Sequence, residues 1–459
     1  MTAGYSGGHS NVPATPPGPP PCRPAFFLHA DSPMPNPPLT LAAVGCGSRV
    51  QVYSALAAAM PEHYRVVAAA DPIPARLERV RQLSKNPALR TFAGDRELFA
   101  AGKLAEVLMI GTQDPDHVAP CIAAMELGYD VLLEKPISTN FHEVQRLEAA
   151  AARLGRRVLI CHVLRYTGFY SRIKELLEAG VIGTVATLNA TEGVGLFHQA
   201  HSFVRGHWAV TERCSPMIIS KCCHDLDIIS WLVDAPCETV ASFGSLAHFN
   251  AAHAPPGAPA RCTDGCPVAA TCPYDAHRYL GDQRAWLRWV FDRYDTATDD
   301  EIKAWLTASQ WGRCVYRCDN TAVDRQTVNL EFTNRVAATF TMTAFSEGRD
   351  LEIRGTRGVL QAGDAVKRLT GHDIAITPHD TRQTVWHDVV TREGEFNGHW
   401  GGDAGLMERL HLELQLPNPA DMRSSLQRSV ESHAIGFAAE ESRLSGQTVR
   451  LDDFRRRHA

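Results

Sequence analysis

Leu39-Thr-Leu-Ala-Ala-Val44 running into Gly45-Cys-Gly-Ser-Arg49 is the stretch on which the fold turns. The first six residues read as a short buried strand, and Gln51 to Met60 beyond the turn reads as a helix. A glycine-rich turn acquires meaning only between a strand and a helix, which is its context here. Gly45 allows the tight turn. Gly47 lets backbone approach a pyrophosphate, which then sits on the helix start beside Ser48 and Arg49. Val50 occupies the place of the usual third glycine, so a side chain enters where helix and strand pack closely. Two glycines after a strand also suit an ordinary βα turn. Asp71 adds weight, because it ends a second strand, Tyr64 to Ala70, about 20 residues on. A carboxylate there accepts from ribose hydroxyls and repels a 2′-phosphate, so NAD is expected over NADP. Asp71 also suits an N-cap for the helix after Pro72.

Outward from this turn, strands and helices alternate. Glu106–Ile110, Asp130–Leu133 and Val158–Cys161 read as strands, and Pro74–Leu83, His117–Leu127 and Phe141–Leu154 as helices. Continuous apolar strands of this kind form a parallel sheet covered on both faces. After a helix at Ser171–Glu178 the pattern changes. Thr184–Glu192, Thr239–Phe249, Thr327–Phe332 and Val336–Thr343 read as longer strands, several alternating apolar and polar residues. They predict a second, mostly antiparallel sheet with one covered face. Helices at Gly405–Leu414 and Leu426–Leu444 are expected to pack back onto the body.

At 459 residues the chain is long enough for two domains, and its 44% hydrophobic and 21% charged content is that of a soluble globular protein. A net charge of -5 gives no reason to expect nucleic acid or an anionic membrane as partner. No stretch approaches the roughly 18 to 20 apolar residues that span a bilayer. Residues 1–38 are rich in Pro, Gly and Ser and lack the basic start and apolar block of a secretory signal. They read as a disordered extension, with Met34 as an alternative start, and the location as cytoplasmic.

Glu134-Lys135-Pro136 ends the strand Asp130–Leu133. A lysine at the carboxyl end of a parallel strand sits where substrate meets nicotinamide. It can bond a substrate hydroxyl and share its proton while hydride leaves the carbon, provided burial or cationic neighbours lower its pKa. A surface lysine is the alternative. In Ser220-Lys-Cys-Cys-His-Asp-Leu-Asp227, His224 and Asp227 lie three apart on the first turn of a helix. His224 suits a general base, with Asp225 or Asp227 orienting it or capping the helix. A structural histidine with a capping aspartate competes. Arg165 and Tyr166, with His198, His201, Arg205 and Trp208, interleave aromatics with cations, which suits a polyhydroxylated ligand or an ordinary inter-domain loop.

Taken in order, these landmarks resemble the Gfo/Idh/MocA oxidoreductases over roughly Leu39 to Phe454: the Gly45–Arg49 turn, Asp71, Thr112 with His117, Glu134-Lys-Pro136, Arg165-Tyr166 and His224-Asp-Leu-Asp227. The resemblance implies a Rossmann domain (39–162), then an α/β domain (163–454) on a large open sheet that often mediates homo-oligomerisation as a dimer or tetramer. It implies NAD-linked oxidation of a sugar or polyol, with Lys135 and His224 catalytic. The cofactor would lie against Gly45, Gly47, Ser48, Arg49, Asp71, Thr112, His117, Glu134 and Lys135. Arg165, Tyr166, His201, Arg205, Trp208, His224 and Asp225 would hold the substrate. Many members carry an aspartate four residues before the histidine; here that place is Ser220, with Lys221 beside it. Two other outcomes share the site. Some relatives are NAD-dependent glycosidases that oxidise transiently and eliminate, and a few proteins on this fold bind dinucleotide without catalysis.

Two segments stand apart. Within 255–320, Cys262, Cys266 and Cys272 are followed by Cys314 and Cys318. In a reducing compartment most of the 13 cysteines are expected as thiols. A zinc site from Cys262, Cys266, Cys272 and Cys318 is one reading of the spacing; buried thiols or a disulfide are the others, and no metal is the expectation carried forward. Asn397-Gly-His-Trp-Gly-Gly-Asp403 reads as a flexible loop, with Asp403 as a plain N-cap or the loop as a substrate-side lid.

Overall fold

The computed structural model describes residues 37–366, 373–387, 389 and 398–458. The expectation for the proline-rich start, and Asn397 of the late loop, therefore fall outside the described residues.

The first domain runs β1 (Leu39–Val44), α1 (Ser48–Ala59), β2 (Tyr64–Ala70), α2 (Pro74–Leu83), β3 (Arg90–Phe92), α3 (Asp95–Ala100), β4 (Val107–Ile110), α4 (Val118–Glu126), β5 (Asp130–Leu133), α5 (Phe141–Leu154) and β6 (Val158–Ile160). Its six strands pair in the order β3-β2-β1-β4-β5-β6, every pair parallel. β1 shows why its residues are apolar without alternation. Ala42 and Val44 enter one core cluster and Leu41 and Ala43 another, so both faces are covered. The order reverses between β1 and β4, and ligands of such sheets bind outside the carboxyl ends at that point. Local signals set the helix ends. Asn140 caps α5 by accepting from the amide of His142, and Gly155 closes the helix in the left-handed region.

The chain then forms α6 (Gly168–Glu178), β7 (Val185–Val194), the short α7 (Leu196–His198), a π-helical turn Gln199–Val204, α8 (Met217–Ser220), α9 (Cys223–Val233) and β8 (Cys237–Ser245). Past the cysteine-rich insert and α10 (Asp299–Ala308) come β9 (Arg325–Phe332), β10 (Ala337–Thr343), β11 (Glu347–Gly355), β12 (Gly358–Gly363), β13 (Ile374–Pro378) and β14 (Val385–His387). α11 (Gly402–Glu413), α12 (Leu426–Ser445), β15 (Val449–Arg450) and α13 (Leu451–His458) finish it. Nine strands pair as β14-β13-β12-β11-β7-β10-β9-β8-β15. Among the described residues only β7 with β10 is parallel, so the sheet is mixed and mostly antiparallel. In β9 every second residue is buried, which is the mark of one covered face. α12 packs against β8 and α9 of this domain and against α5 of the first. Just before it, Ser424 brackets the β6 edge: its carbonyl accepts from the Ile160 amide (2.9 Å) and its hydroxyl donates to the Ile160 carbonyl (2.7 Å). Among the described residues no helix is long and apolar enough to cross a membrane.

Candidate active site

The nucleotide turn follows from two glycines with different duties. Gly45 has φ +79°, and a Cβ there would lie 2.5 Å from the Thr112 amide nitrogen, so torsion and space both demand glycine. Gly47 is the extended residue before α1, and a Cβ built on it meets nothing within 4 Å. The first turn of α1 has no side-chain cap and no acidic residue. No side chain therefore occupies the start of α1, which fits a pyrophosphate. Asp71 pins the turn: Oδ2 accepts from the Cys46 amide (2.7 Å) and Oδ1 from that of Ile73 (2.8 Å). Ile73, not Asp71, is the N-cap of α2. Each carboxylate oxygen keeps a further lone pair for a ribose hydroxyl. Val50 is accommodated from the opposite side. A Cβ on Gly111 would lie 2.9 Å from Val50 Cγ2, so the glycine missing from α1 is supplied at the end of β4.

Four residues expected against the cofactor have hydrogen-bond partners within the protein. Arg49 Nε donates to Glu134 Oε1 (2.8 Å), and its terminal nitrogens reach Tyr53 (2.7 Å) and Asp403 (2.5 Å). Tyr53 also donates to Glu134 Oε1 (2.9 Å). Burial pushes the Glu134 carboxyl up, but the charge and hydrogen bond of Arg49, with Lys135 and Tyr53, together outweigh it and the net shift is downward. His117 Nδ1 donates to the Pro136 carbonyl (2.7 Å), and Thr112 Oγ1 donates to the Asp116 carbonyl (2.9 Å). These bonds lace the loops after β4 and β5 together beside the turn.

The sheet order brings Gly111-Thr112, Glu134-Lys135 and Cys161-His162 to one edge, at the carboxyl ends of β4, β5 and β6. Lys135, preceding a cis proline, has a long contact from Nζ to the Ser220 carbonyl (3.4 Å). α9 places His224 against it. His224 is 3% exposed, and neither ring nitrogen has a hydrogen-bond partner among the described residues. Burial lowers its pKa well below the ordinary value, helped by Lys135 and His399. It is a neutral imidazole with both polar atoms uncommitted. His162 is also buried, with neither nitrogen hydrogen-bonded among the described residues, though Nε2 lies 3.6 Å from Asp227 Oδ1; its ring centre is 5.8 Å from that of His224. Sequence reading gave His162 no role; its place at the end of the strand next to β5 was the available signal.

The substrate-side expectations divide. Trp208 reaches the first domain, its Nε1 donating to Asp114 Oδ2 (2.8 Å). Asp225 lies on α9 beside His224 but pairs with Arg349 of β11 (2.7 Å), which also meets Glu192 of β7 (2.8 Å); Lys221 meets Glu192 at 2.7 Å. Asp227 does not orient His224 either, because it receives Arg165 through two bonds (2.6 and 2.7 Å). Arg165 in that pair is 1% exposed. Tyr166 bonds Ser424 (3.0 Å). His201 Nδ1 meets the Tyr279 hydroxyl (2.5 Å), and Arg205 donates to the carbonyls of Arg313 (2.7 Å) and Tyr274 (2.6 Å). Arg165, Tyr166, His201 and Arg205 thus brace the second domain and its insert.

The late loop does enter the site. Asp403 is the second residue of α11 and caps nothing: its carboxylate takes Arg49 and the Nδ1 of His399 (3.1 Å). Burial raises and Arg49 then His399 lower the Asp403 carboxyl, leaving it below the carboxylate range. Glycines let α11 lie directly on the Val163–Tyr166 turn, since a Cβ on Gly402 would be 2.4 Å from the Val163 carbonyl and one on Gly405 2.3 Å from that of Tyr166. The cysteine-rich insert lies elsewhere. Cys262, Cys266, Cys272 and Cys314 line one cavity with Arg205, and these and Cys318 are free thiols. No three His, Cys, Asp or Glu side chains among the described residues are disposed to hold a metal ion.

An open pyrophosphate cradle on a parallel sheet, with a lysine and an unbonded histidine at the strand ends beside it, defines an NAD-linked oxidoreductase. The chain belongs to the Gfo/Idh/MocA oxidoreductase family: residues 39–162 match its NAD-binding Rossmann fold and residues 174–451 its C-terminal alpha/beta domain. It is 24% identical to the putative oxidoreductase YteT of Bacillus subtilis over 86% of this chain and 94% of that one. An inositol 2-dehydrogenase of Streptomyces avermitilis is 29% identical over 42% of this chain and 52% of its own length. Among solved structures, an Agrobacterium radiobacter oxidoreductase in complex with NAD+, L-tartaric acid and magnesium aligns over 90% of this chain and 99% of its own (TM-score 0.64, 15% identity). The scyllo-inositol dehydrogenase of Lactobacillus casei with bound NAD(H) and scyllo-inositol aligns over the same shares (TM-score 0.59, 15% identity).

Proposed function

We propose that this protein is a dehydrogenase that oxidises a hydroxyl of a sugar or polyol with NAD. The observation that carries the reading is His224, buried, neutral and unbonded at both nitrogens beside Lys135. A buried polar group without a partner costs stability, and such a cost persists where a ligand supplies the missing bond. The hydroxyl lies between Lys135 Nζ and the His224 ring in this reading. Lys135 bonds the hydroxyl oxygen and stabilises the charge that grows there as its proton leaves, and His224 fixes the lone-pair direction. Bound NAD supplies a hydride acceptor at the strand ends. Glu134 acts at one remove, since Arg49 and Tyr53 hold it and it in turn seats the Lys135 amide (3.1 Å). The inositol and diol dehydrogenases among the relatives support a vicinal hydroxyl substrate.

The test is direct. Purified protein with NAD is titrated with myo-inositol, scyllo-inositol, L-tartrate and a panel of aldoses while absorbance of the reduced cofactor is followed. Turnover on a polyol or sugar, lost in Lys135→Ala, supports the reading. Inertness across the panel, with tight NAD binding, counts against it. Cleavage of an aryl glycoside with no net cofactor change would replace simple dehydrogenation by oxidation and elimination at the same residues.

A further inference from the structure

We propose that His399, oriented by Asp403, is the proton acceptor of the reaction, and that His224 positions the hydroxyl without taking its proton. The inference rests on the dehydrogenase reading and assigns a role within that site.

A base must accept a proton and then tolerate the charge. His224 is badly placed to do so. It lies next to the Lys135 ammonium, is nearly sealed from water, and has no carboxylate partner. The two aspartates that follow it are committed to arginines, Asp225 to Arg349 and Asp227 to Arg165. Ser220, at the place where many relatives carry an aspartate, bonds the Pro216 carbonyl through its hydroxyl (3.2 Å). Burial, with Arg49 and Lys135, lowers the pKa of His399 too, but there Asp403 opposes the shift, which nothing does at His224. The His399 ring centre is 5.6 Å from that of His224, its side chain is 36% exposed, and its Nδ1 lies 3.1 Å from Asp403 Oδ2. A carboxylate accepting from Nδ1–H fixes the tautomer with a bare Nε2 and stabilises the imidazolium that forms.

Backbone geometry supports the same role. His399 (φ 48°, ψ 47°) and Trp400 (φ 55°, ψ 38°) are consecutive non-glycine residues in the left-handed region, which cluster at functional sites. Asp403 is clamped by Arg49, the residue that also holds Glu134 ahead of Lys135. One cation thus sets both the lysine loop and the dyad. In the oxidation, the O–H bond of the substrate gives its proton to His399 Nε2, and the adjacent C–H bond gives hydride to oxidised nicotinamide as the carbonyl forms. The imidazolium, open to water, then releases the proton to solvent.

Two experiments test this. His399→Gly suits the left-handed backbone and should fold, keeping NADH affinity, read by fluorescence titration, near that of the parent. With the best substrate of the panel above, kcat should fall by about 10²-fold and recover with added imidazole. A kcat near the parent's in His399→Gly, where Lys135→Ala has lost turnover, overturns the proposal and leaves the dehydrogenase reading standing. Full turnover in Lys135→Ala overturns that reading itself. Independently of activity, 15N-histidine NMR should show His399 as the Nδ1–H tautomer. In Asp403→Asn, Arg49 keeps the amide oxygen and turns the NH2 toward Nδ1, so the population should move to Nε2–H. An Nε2–H tautomer in the parent protein overturns the proposal.

Discussion

Behind the Glu134–Ile137 loop, α12 presents a histidine bonded at both ring nitrogens; in front of it, α9 presents one bonded at neither. His433 accepts from the Ile137 amide at Nε2 (2.9 Å) and lies 2.8 Å from the Ser429 carbonyl at Nδ1, so its tautomer is fixed by protein alone. His224 is almost as buried and lacks such bonds. The two rings flank His162 at 5.7 and 5.8 Å. Burial is shared, so burial does not separate support from function here. Hydrogen-bond completeness does: the α12 wall is finished without a ligand, and the α9 face is not.

The largest effect should come from the group both regions serve. Lys135→Met keeps the length of the side chain and removes its charge, and turnover should fall by roughly 10³- to 10⁴-fold in steady-state assays. Near-normal turnover would dissolve the distinction between wall and face. Next is the ion pair that anchors α9. Asp227→Ala leaves Arg165 buried and unpaired, and should cost about 3–5 kcal/mol in denaturant unfolding. The histidines themselves give the sharpest contrast. His433→Leu strands the Ile137 amide and should cost about 1–3 kcal/mol of stability. His224→Leu removes a polar group that has no partner to strand. It should leave stability unchanged or raised while lowering kcat by roughly 10²-fold. Equal destabilisation by both would show that His224 is structural.

Acid should expose the same cluster. Burial lowers the pKa of His433 from 6.5 to about 3, and those of His162 and His224 well below 6.5. The unfolded chain takes up these protons near pH 6.5 and the folded chain does not. Their contribution is therefore full above about pH 6.5 and is lost as pH falls from there toward the folded values. Each histidine adds a slope of about 1.4 kcal/mol per pH unit in that window. Urea midpoints measured from pH 7 to 5 should fall, and His433→Gln should remove one proton's share of the slope.

The sequence was most readable where function uses backbone. Continuous apolar strands, the Gly45 and Gly47 turn and Asp71 act through local torsion and short-range order, so their roles follow from neighbours in the chain. The first four long strands of the second sheet were visible by alternation, but β11 to β15 were not expected. In β11 the second residue, Gly348, has a φ of +87°, which interrupts the regular alternation that sequence reading relies on. Side-chain roles were least readable where partners come from afar. Arg165 and Tyr166 look like ligand-binding residues until Asp227, Arg423 and Ser424 are brought to them. Arg205 looks the same until the insert's carbonyls close on it. His399 and Asp403 gained their meaning from Arg49, more than 300 positions earlier.

Val50 offers the smallest and cleanest test, because there a local rule failed and a distant residue repaired it. Glycine is usual at that place since helix and strand approach closely. Here Val50 is 1% exposed, and the approach is made at Gly111, where a Cβ would stand 2.9 Å from the valine methyl. Gly111→Ala alone should overpack the contact and destabilise by about 1–3 kcal/mol. Val50→Gly alone should also destabilise, through lost burial and a glycine inside α1. Combined, the alanine methyl moves into the space the valine left. The double variant should then be more stable than the sum of the singles predicts, with a coupling of about 0.5–3 kcal/mol in urea unfolding. Strict additivity would mean that the two positions do not share one volume, and that α1 tolerates Val50 for a reason other than Gly111.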